Sequence, residues 1–273
     1  MRTNQAHKQT DIILEQLEHK LRNMYQRVYT ELKSKMAVIM GKIEFAADLT
    51  PIQRYNLACK YDRLAKLEKE MLDGLKDAAN EAVKMINNEM VTIYKINRNF
   101  EAARLGTSSL FSKQTAKGIL MDEATPFTKL AIDSFKNSEL IRRELSGELL
   151  NSVMQGESIY NMATRFRGVV ERNLKDCIRI ARTETTRVES FARWRVGTKA
   201  EKAGLKVVKE WVATKDSRTR EWHNEADGQQ VPLDEPFIVG DEELMYPGDP
   251  NGSAENVINC RCTMINVVLD VNK

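Results

Sequence analysis

The chain has 273 residues, a hydrophobic fraction of 42% and a charged fraction of 30%, a composition that suits a helix-rich soluble protein with one large domain or two smaller ones. Its formal net charge is only +3, but residues 165–195 hold nine basic side chains against four acidic ones, and residues 201–273 hold 8 against 14. No apolar run reaches the roughly 18 residues that cross a bilayer, and the N-terminus lacks the apolar core of a secretory signal, so we expect an intracellular protein without a membrane span.

Two long helices are predicted at the start of the chain. From residue 11 to about 46, apolar side chains recur at spacings of three or four, as they do on one face of a helix. Thr50, Pro51 and Gln53 then have the order of a helix start, with Thr50 as the N-cap and Gln53 as its capping-box partner. A second apolar stripe continues to about Leu105. We therefore predict a long helical hairpin or bundle over residues 1–105, packed on itself or self-associating with helices of other subunits.

The next segment, residues 106–155, is predicted to be a helical connector. Pro126 interrupts the pattern, and the apolar residues that follow it, as far as Phe135, indicate one short helix. Residues 138–154 indicate another helix, which should end near Gly156. A further short helix is predicted over residues 157–166.

A basic helix is predicted from about Val169 to Ala203, and its apolar face contains an acid. The spacing of the apolar positions places Glu184 on that face, where an unpaired carboxylate would cost several kcal/mol. Three interpretations stay open: a buried ion pair that fixes the packing of the helix, a catalytic carboxylate, and a helix phase that differs from the assumed one. The basic stretch can contact DNA phosphates, or it can be neutralised by the acidic C-terminal part. The candidate partners of Glu184 are Arg182, Arg218, His223 and Arg261.

The C-terminal part, residues 156–273, is predicted to be a small α+β module. After the basic helix, strands are predicted over residues 206–213 and 237–239, with a short helix around His223 between them. Asp227-Gly228 indicates a turn, residues 247–252 an irregular segment, and residues 260–269 a closing strand. The predicted fold class is therefore α+β, with a long helical N-terminal hairpin or bundle followed by a module with a few short strands.

Three side chains in this module have the chemistry of zinc ligands. Strand alternation would put Cys260 and Cys262 on one face, and His223 is the obvious third ligand. The fourth would be Asp216, Asp227, Asp249, Cys177 or a water molecule. The spacing matches no common zinc-finger pattern, so three interpretations stay open: packing without a metal, a structural zinc ion, and a catalytic metal.

The order of motifs in residues 155–270 resembles the Mu F-like phage head morphogenesis family, the minor capsid proteins of tailed bacteriophages. The resemblance implies a minor head protein, present in few copies, that associates with portal protein or major capsid protein in the procapsid and assists head assembly, DNA packaging or ejection. It also implies localisation in the host bacterial cytoplasm during assembly and then inside the virion head at the portal vertex, with viral double-stranded DNA as a further candidate partner. The resemblance implies no catalytic activity. The residues that carry it are Ala181-Arg182-Thr183-Glu184-Thr185, Asp216, Arg218, His223, Asp227-Gly228, Phe237, Pro247-Gly248-Asp249-Pro250 and Asn259-Cys260-Arg261-Cys262.

Two other classes of function remain as alternatives. One is an enzyme, either a nuclease that uses His223 with a metal or a transferase that uses Arg182 and Glu184. The sequence lacks a convincing nucleophile, a general-base pair or a phosphate-binding glycine loop, so we expect no enzyme. The other alternative is a DNA-binding accessory protein of the phage head.

Overall fold

The computed structural model describes residues 5–40, 49–60, 62–111 and 138–269. The chain forms two compact units, each assembled from separated segments. Unit 1 comprises Met1–Glu18, Met85–Thr128 and Arg179–Lys273, and unit 2 comprises His19–Lys84 and Lys129–Ile178. The domain boundaries predicted from the sequence, 1–105, 106–155 and 156–273, follow the order of helices along the chain instead, and they stay a prediction.

The N-terminal part contains three helices, α1 (Gln5–Met40), α2 (Pro51–Lys60) and α3 (Arg63–Arg104). The predicted capping box is confirmed, since the Thr50 backbone N–H donates to Gln53 Oε1 at 2.8 Å and the Gln53 N–H donates to Thr50 Oγ1 at 3.3 Å. The prediction of one uninterrupted second helix is wrong. The chain breaks before α3, where Asp62 adopts a left-handed conformation with φ 49°.

Helices α1 and α3 contact each other within each unit. In unit 1, Asn97 Nδ2 donates to Thr10 Oγ1 at 2.8 Å. In unit 2, Gly74 lies so close to Leu32 that a Cβ at this glycine would come within 2.6 Å of Leu32 Cδ2. The buried apolar residues keep the helical spacing that the sequence predicts; they include Leu17, Leu21, Met24, Leu32 and Met36 on α1, and Leu67, Met71, Leu75, Ala82 and Ile93 on α3.

Two more helices connect this part to the C-terminal strands. After a short 3-10 turn (Ser108–Phe111), α4 spans Ser138–Gln155 and ends at Gly156, whose φ is +65°. The short helix expected after Pro126 lies outside the described residues. Helix α5 runs without interruption from Ile159 to Lys202, so the predicted division into a short helix and a separate basic helix is wrong. None of the helices that the structure describes is long and apolar enough to cross a bilayer.

The C-terminal part of unit 1 contains two small antiparallel sheets. The elements in chain order are β1 (Val207–Val212), α6 (Glu221–Glu225), β2 (Gln230–Pro232), β3 (Phe237–Val239), β4 (Glu242–Leu244), α7 (Ala254–Val257) and β5 (Thr263–Val268). One sheet has the order β2-β1-β5, with Trp211 opposite Met264, and the other is the β3-β4 hairpin. The predicted α+β class is confirmed. The closing strand begins at Thr263, later than predicted, so both cysteines precede it.

Candidate metal centre

His223, Cys260 and Cys262 meet in the interior of unit 1. His223 Nδ1 lies 3.4 Å from Cys262 Sγ and 3.7 Å from Cys260 Sγ. The three side chains are 1%, 2% and 3% exposed, and their ligand atoms lie within 4.8 Å of one another. Within the described ranges, no other group of three His, Cys, Asp or Glu residues meets this criterion. The sequence-predicted set of ligands is therefore brought together.

The two thiols converge because the backbone around them is anchored on both sides. Asn259 adopts a left-handed conformation with φ 56° and donates its N–H to Thr183 Oγ1 at 3.1 Å. The Cys260 carbonyl accepts a hydrogen bond from Thr186 Oγ1, and the Arg261 carbonyl accepts one from Thr214 Oγ1 at 2.6 Å. Strand alternation, the reason given from the sequence, is thus the wrong reason, since these residues form an irregular turn held by helix α5 and by the segment after β1.

The tautomer of His223 follows from its contact with Asn256, a residue that sequence analysis missed. The indole Nε1–H of Trp222, which can only donate, contacts Asn256 Oδ1 at 2.5 Å, so the atom it meets must be the amide oxygen. His223 Nε2 lies 3.1 Å from the same oxygen and must therefore carry a proton. A neutral His223 then directs the lone pair of Nδ1 at the two sulfur atoms.

The electrostatic environment shifts the pKa values of the two thiols in opposite directions. A hydrogen bond from the Cys260 thiol holds the pKa of the Cys262 thiol well below its usual value, although burial acts in the opposite direction. The same contact with Cys262, together with burial, raises the pKa of Cys260. The pair therefore favours one thiolate next to one thiol.

The carboxylates considered as a fourth ligand are engaged elsewhere. Asp216 accepts two hydrogen bonds of 2.6 Å from Arg261, and these hold the pKa of Asp216 well below its ordinary value. Asp227 accepts a hydrogen bond from the Ala213 N–H at 3.0 Å and lies 2.9 Å from Lys215 Nζ.

Asp249 accepts hydrogen bonds from the backbone N–H groups of Met245 at 2.8 Å and Asn251 at 2.9 Å. Cys177 belongs to unit 2, where its sulfur lies 3.1 Å from the Tyr25 hydroxyl. Neither is a ligand of the cluster, so a water molecule is the remaining candidate for the fourth position.

Glu184 is buried, as predicted, but its partner is none of the four expected cations. It is 4% exposed and forms an ion pair of 2.9 Å with Arg187, which is also 4% exposed. Burial raises the pKa of Glu184 to about 7, although the Arg187 guanidinium acts in the opposite direction. Arg187 Nε also donates to the Gly248 carbonyl at 3.0 Å, so the pair connects helix α5 to the turn between β4 and α7.

Other residues of the family-like motifs also hold the module together. Arg182 forms a two-pronged ion pair with Glu18, at 2.6 and 2.9 Å. Gly228 has φ +83° and donates its N–H to the Trp211 carbonyl at 2.9 Å, which explains the Asp-Gly sequence at this turn. Arg218 lies 3.7 Å from Asp216 and is largely exposed. The Arg182 pair therefore joins α5 to α1, and the Gly228 hydrogen bond joins its turn to β1.

Sequence analysis also missed a buried ionic network centred on Glu189. Its carboxylate lies 2.7 Å from Arg193, 2.8 Å from His7 Nδ1 and 3.0 Å from Thr263 Oγ1. Burial acts to raise the pKa of Glu189, but these cations and donors outweigh burial and lower it. Burial likewise acts to lower the pKa of His7, but Glu189 outweighs it and the pKa is raised. The spacing of Glu189 and Arg193 (i, i+4) was the only local sign of this network.

A cavity of about 620 Å³ lies in unit 1 beside the cluster. It is bordered by side chains of both charges, and Cys260 belongs both to its wall and to the cluster. Its ionisable wall residues include His7, Asp11, Arg182, Glu189 and Arg220. The cavity is polar and large enough for several water molecules.

Comparisons with known proteins agree with the motif pattern. Residues 143–265 match the model of the family described as Phage Mu protein F like protein. The chain is 26% identical over 272 residues to the minor head protein GP7 of Bacillus phage SPP1, an alignment that covers 96% of this chain and 85% of that protein. It is 31% identical over 134 residues to the NAD(+)--arginine ADP-ribosyltransferase EFV of Enterococcus faecalis, covering 49% of this chain but only 27% of that protein. No solved structure shows significant similarity.

Proposed function

We propose that this chain is a minor head protein of a tailed bacteriophage or prophage. The premise is that residues 143–265 match the model of the Phage Mu protein F like family. The observation that carries the proposal is the alignment over 96% of the chain with a protein named as a minor head protein. That alignment includes the N-terminal helices, which lie outside the family match. A head morphogenesis role therefore fits the whole chain as well as its C-terminal region.

The contacts of the motif residues support a structural role. Thr183 and Thr186 on α5 bind the backbone of Asn259 and Cys260, and Arg187 binds the turn at Gly248. These side chains are occupied in holding two parts of unit 1 together. These structural contacts account for the three side chains without any contact to a substrate.

We further propose that the chain associates with the portal protein or the major capsid protein, at a low copy number, inside the head. Unit 2 offers exposed apolar side chains for such contacts, since Val38 is 73% exposed, Ile52 68% and Tyr160 71%. Tyrosine is enriched among the residues that carry the binding energy of protein interfaces, and burial of exposed apolar side chains favours association. The basic stretch of α5 adds a second candidate partner, viral DNA, through its phosphates.

A transferase has one observation in its favour, the partial match to an ADP-ribosyltransferase. The two residues expected to carry that chemistry are not arranged for it. Arg182 is paired with Glu18, and Glu184 is buried against Arg187. The aligned region is about a quarter of that protein, so we propose no enzymatic activity for this chain and expect no transfer of ADP-ribose from NAD to arginine in a labelling assay.

The proposal is tested by quantitative mass spectrometry of particles from the phage or prophage that encodes the chain. Purified procapsids and DNA-filled heads should both contain the protein, in a low and fixed ratio to portal subunits. Complete absence from both kinds of particle would overturn the proposal.

The partner surface is tested in the same particles with three variants, Val38→Glu, Ile52→Glu and Tyr160→Glu. Each places a charge on an exposed apolar position of unit 2 and should lower the copy number per particle. Asn151→Glu is the matched control because Asn151 is an exposed polar residue of the same unit. If all four variants enter particles equally well, these side chains do not form the partner surface.

A further inference from the structure

The distances within the His223, Cys260 and Cys262 cluster are those of ligands around a tetrahedral zinc ion. Zinc binds imidazole nitrogen at about 2.0–2.1 Å and thiolate sulfur at about 2.3 Å, so at the tetrahedral angle these two ligand atoms are about 3.6 Å apart. The observed separations between His223 Nδ1 and the two sulfur atoms are 3.4 and 3.7 Å. The two nitrogen–sulfur separations therefore already match those of a zinc site, and all three ligand atoms lie within 4.8 Å of one another.

The orientation of the histidine has a second feature of a zinc site. Ligating histidines usually donate their other ring N–H to a carbonyl or carboxylate, which fixes the tautomer and the ring plane. His223 Nε2 donates to Asn256 Oδ1, and Asn256 is itself fixed by the Trp222 indole. The lone pair of Nδ1 is therefore directed at the sulfur atoms by residues that take no part in binding the ion.

We propose that His223 Nδ1, Cys260 Sγ and Cys262 Sγ bind one Zn²⁺ ion, with a water molecule from the adjoining cavity as the fourth ligand. Thiolate and imidazole ligands favour zinc over magnesium or calcium, which require oxygen ligands. Both thiols lose their protons to solvent as the ion binds, and the two thiolates balance its charge. Nothing in this assignment depends on the proposed function in the phage head.

The ion would join two parts of unit 1 that are distant in sequence. His223 lies on α6, which follows β1, whereas the cysteines lie in the turn before β5. This turn is also held by Thr186 of α5. Zinc binding therefore contributes to the folding free energy of unit 1, and its removal should lower the thermal stability of that unit.

The first experiment measures the metal content of the full-length protein, purified without chelators, by inductively coupled plasma mass spectrometry. The expected result is about one zinc per chain in the wild type and close to none in the double variant Cys260→Ser, Cys262→Ser. The matched control is the double variant Cys59→Ser, Cys177→Ser, which changes the two cysteines outside the cluster and should keep its zinc. Zinc retained by the first double variant, or another metal in place of zinc, would overturn the assignment.

A second measurement does not depend on the folding of the serine variant. Cobalt(II) added to metal-depleted wild type should give the ligand-field spectrum of a tetrahedral site and a thiolate-to-cobalt charge-transfer band. Wild-type protein that contains no zinc and takes up no cobalt would show that the three side chains only pack and hydrogen-bond together. A Cys260–Cys262 disulfide, seen by mass mapping of freshly purified protein, would also overturn the proposal.

A third measurement tests the role of Asn256 as the residue that positions His223. Asn256→Leu removes the acceptor, and we expect zinc to bind about 10–100 times more weakly. Asn256→Asp keeps an acceptor for both Trp222 and His223 and should bind zinc about as tightly as wild type. Equal zinc affinities in the Leu and Asp variants would contradict the inferred orientation of the ring.

Discussion

The close approach of the Gly248 turn to helix α5 makes a quantitative prediction for Gly248→Ala. Gly248 has φ +81°, a conformation that L-residues rarely adopt. A Cβ at this position would lie 3.0 Å from both the Cα and the backbone nitrogen of Arg187. These are backbone atoms in the middle of a long helix, so they cannot move aside as the end of a side chain can.

The expected loss of stability has two parts. The left-handed conformation costs an alanine about 1–2 kcal/mol. Forcing a methyl group against the helix backbone adds about 1–3 kcal/mol, the usual range for an overpacked interior. Gly248→Ala should therefore lower the free energy of unfolding by about 2–5 kcal/mol.

Gly106→Ala measures the conformational part of this loss of stability by itself. Gly106 has a similar conformation, with φ +68°, but no other atom lies within 4 Å of the position that its Cβ would occupy. Its substitution should therefore cost only the conformational part, about 1–2 kcal/mol. Both glycines belong to unit 1, so the same unfolding transition reports on both.

The assay is urea denaturation followed by tryptophan fluorescence. The chain has three tryptophans, Trp194, Trp211 and Trp222, and all of them lie in unit 1. The emission therefore reports on the unit that contains the substitution. Equal losses of stability in the two alanine variants would refute the argument, because they would show that the contact with α5 adds nothing to the conformational cost.

Three further predictions concern other parts of the fold. Because burial raises the pKa of Glu184 from 4.5 to about 7, the folded chain binds a proton there more tightly than the unfolded chain. Unit 1 should thus gain stability, on the order of 3 kcal/mol, as the pH falls from about 7 towards 4.5, and lose it as the pH rises through 7. Glu184→Gln should flatten a plot of urea midpoint against pH in that range; an unchanged slope would assign the titration to another group. Arg193→Met leaves the Glu189 carboxylate buried without its nearest cation and should cost about 3–5 kcal/mol by the same fluorescence assay. Adding Glu189→Leu should recover part of that loss, and an additive double variant would argue against the pairing. Thr50→Ala removes the capping box of α2 and should cost about 1 kcal/mol, measured by circular dichroism, whereas Thr50→Ser keeps the hydroxyl and should be neutral; equal effects would mean that the cap does not stabilise the helix.

The helices of this protein were predictable wherever a local pattern determines them. The apolar spacing predicts α1, and the Thr50 capping box predicts the start of α2. The break at Asp62 was not predictable, because the helical pattern continues across it. The division predicted between residues 157–166 and the basic helix from about Val169 is the opposite error, since α5 runs from Ile159 to Lys202 without a break.

The candidate site was predictable in its members but not in its supporting contacts. Residue chemistry alone identifies His223, Cys260 and Cys262. The partner of Glu184 was within reach of the i, i+3 rule, since Arg187 follows it on the same helix. Asn256 carries no sign in the sequence that it would orient His223, because that contact depends on how α6 and α7 pack.

The pairing of His7 with Glu189 is another contact that the sequence does not predict, here between residues far apart in the chain. These residues are 182 positions apart, and only the folded chain brings them together. Local patterns predict elements of secondary structure, whereas contacts between distant segments depend on the tertiary fold.

The segmented make-up of unit 1 has a consequence for the order of events on the ribosome. Its first segment, Met1–Glu18, is synthesised well before its partners on α5, which include Arg182 and Glu189. The contact between His7 and Glu189 must therefore wait until most of the chain has emerged, and unit 1 cannot complete its core before β5 is made. The family match, residues 143–265, also begins in unit 2 and ends in unit 1. A gene fragment that encodes only this stretch would lack Met1–Glu18 and Met85–Thr128, so a fusion protein built from it would need substitutes for both.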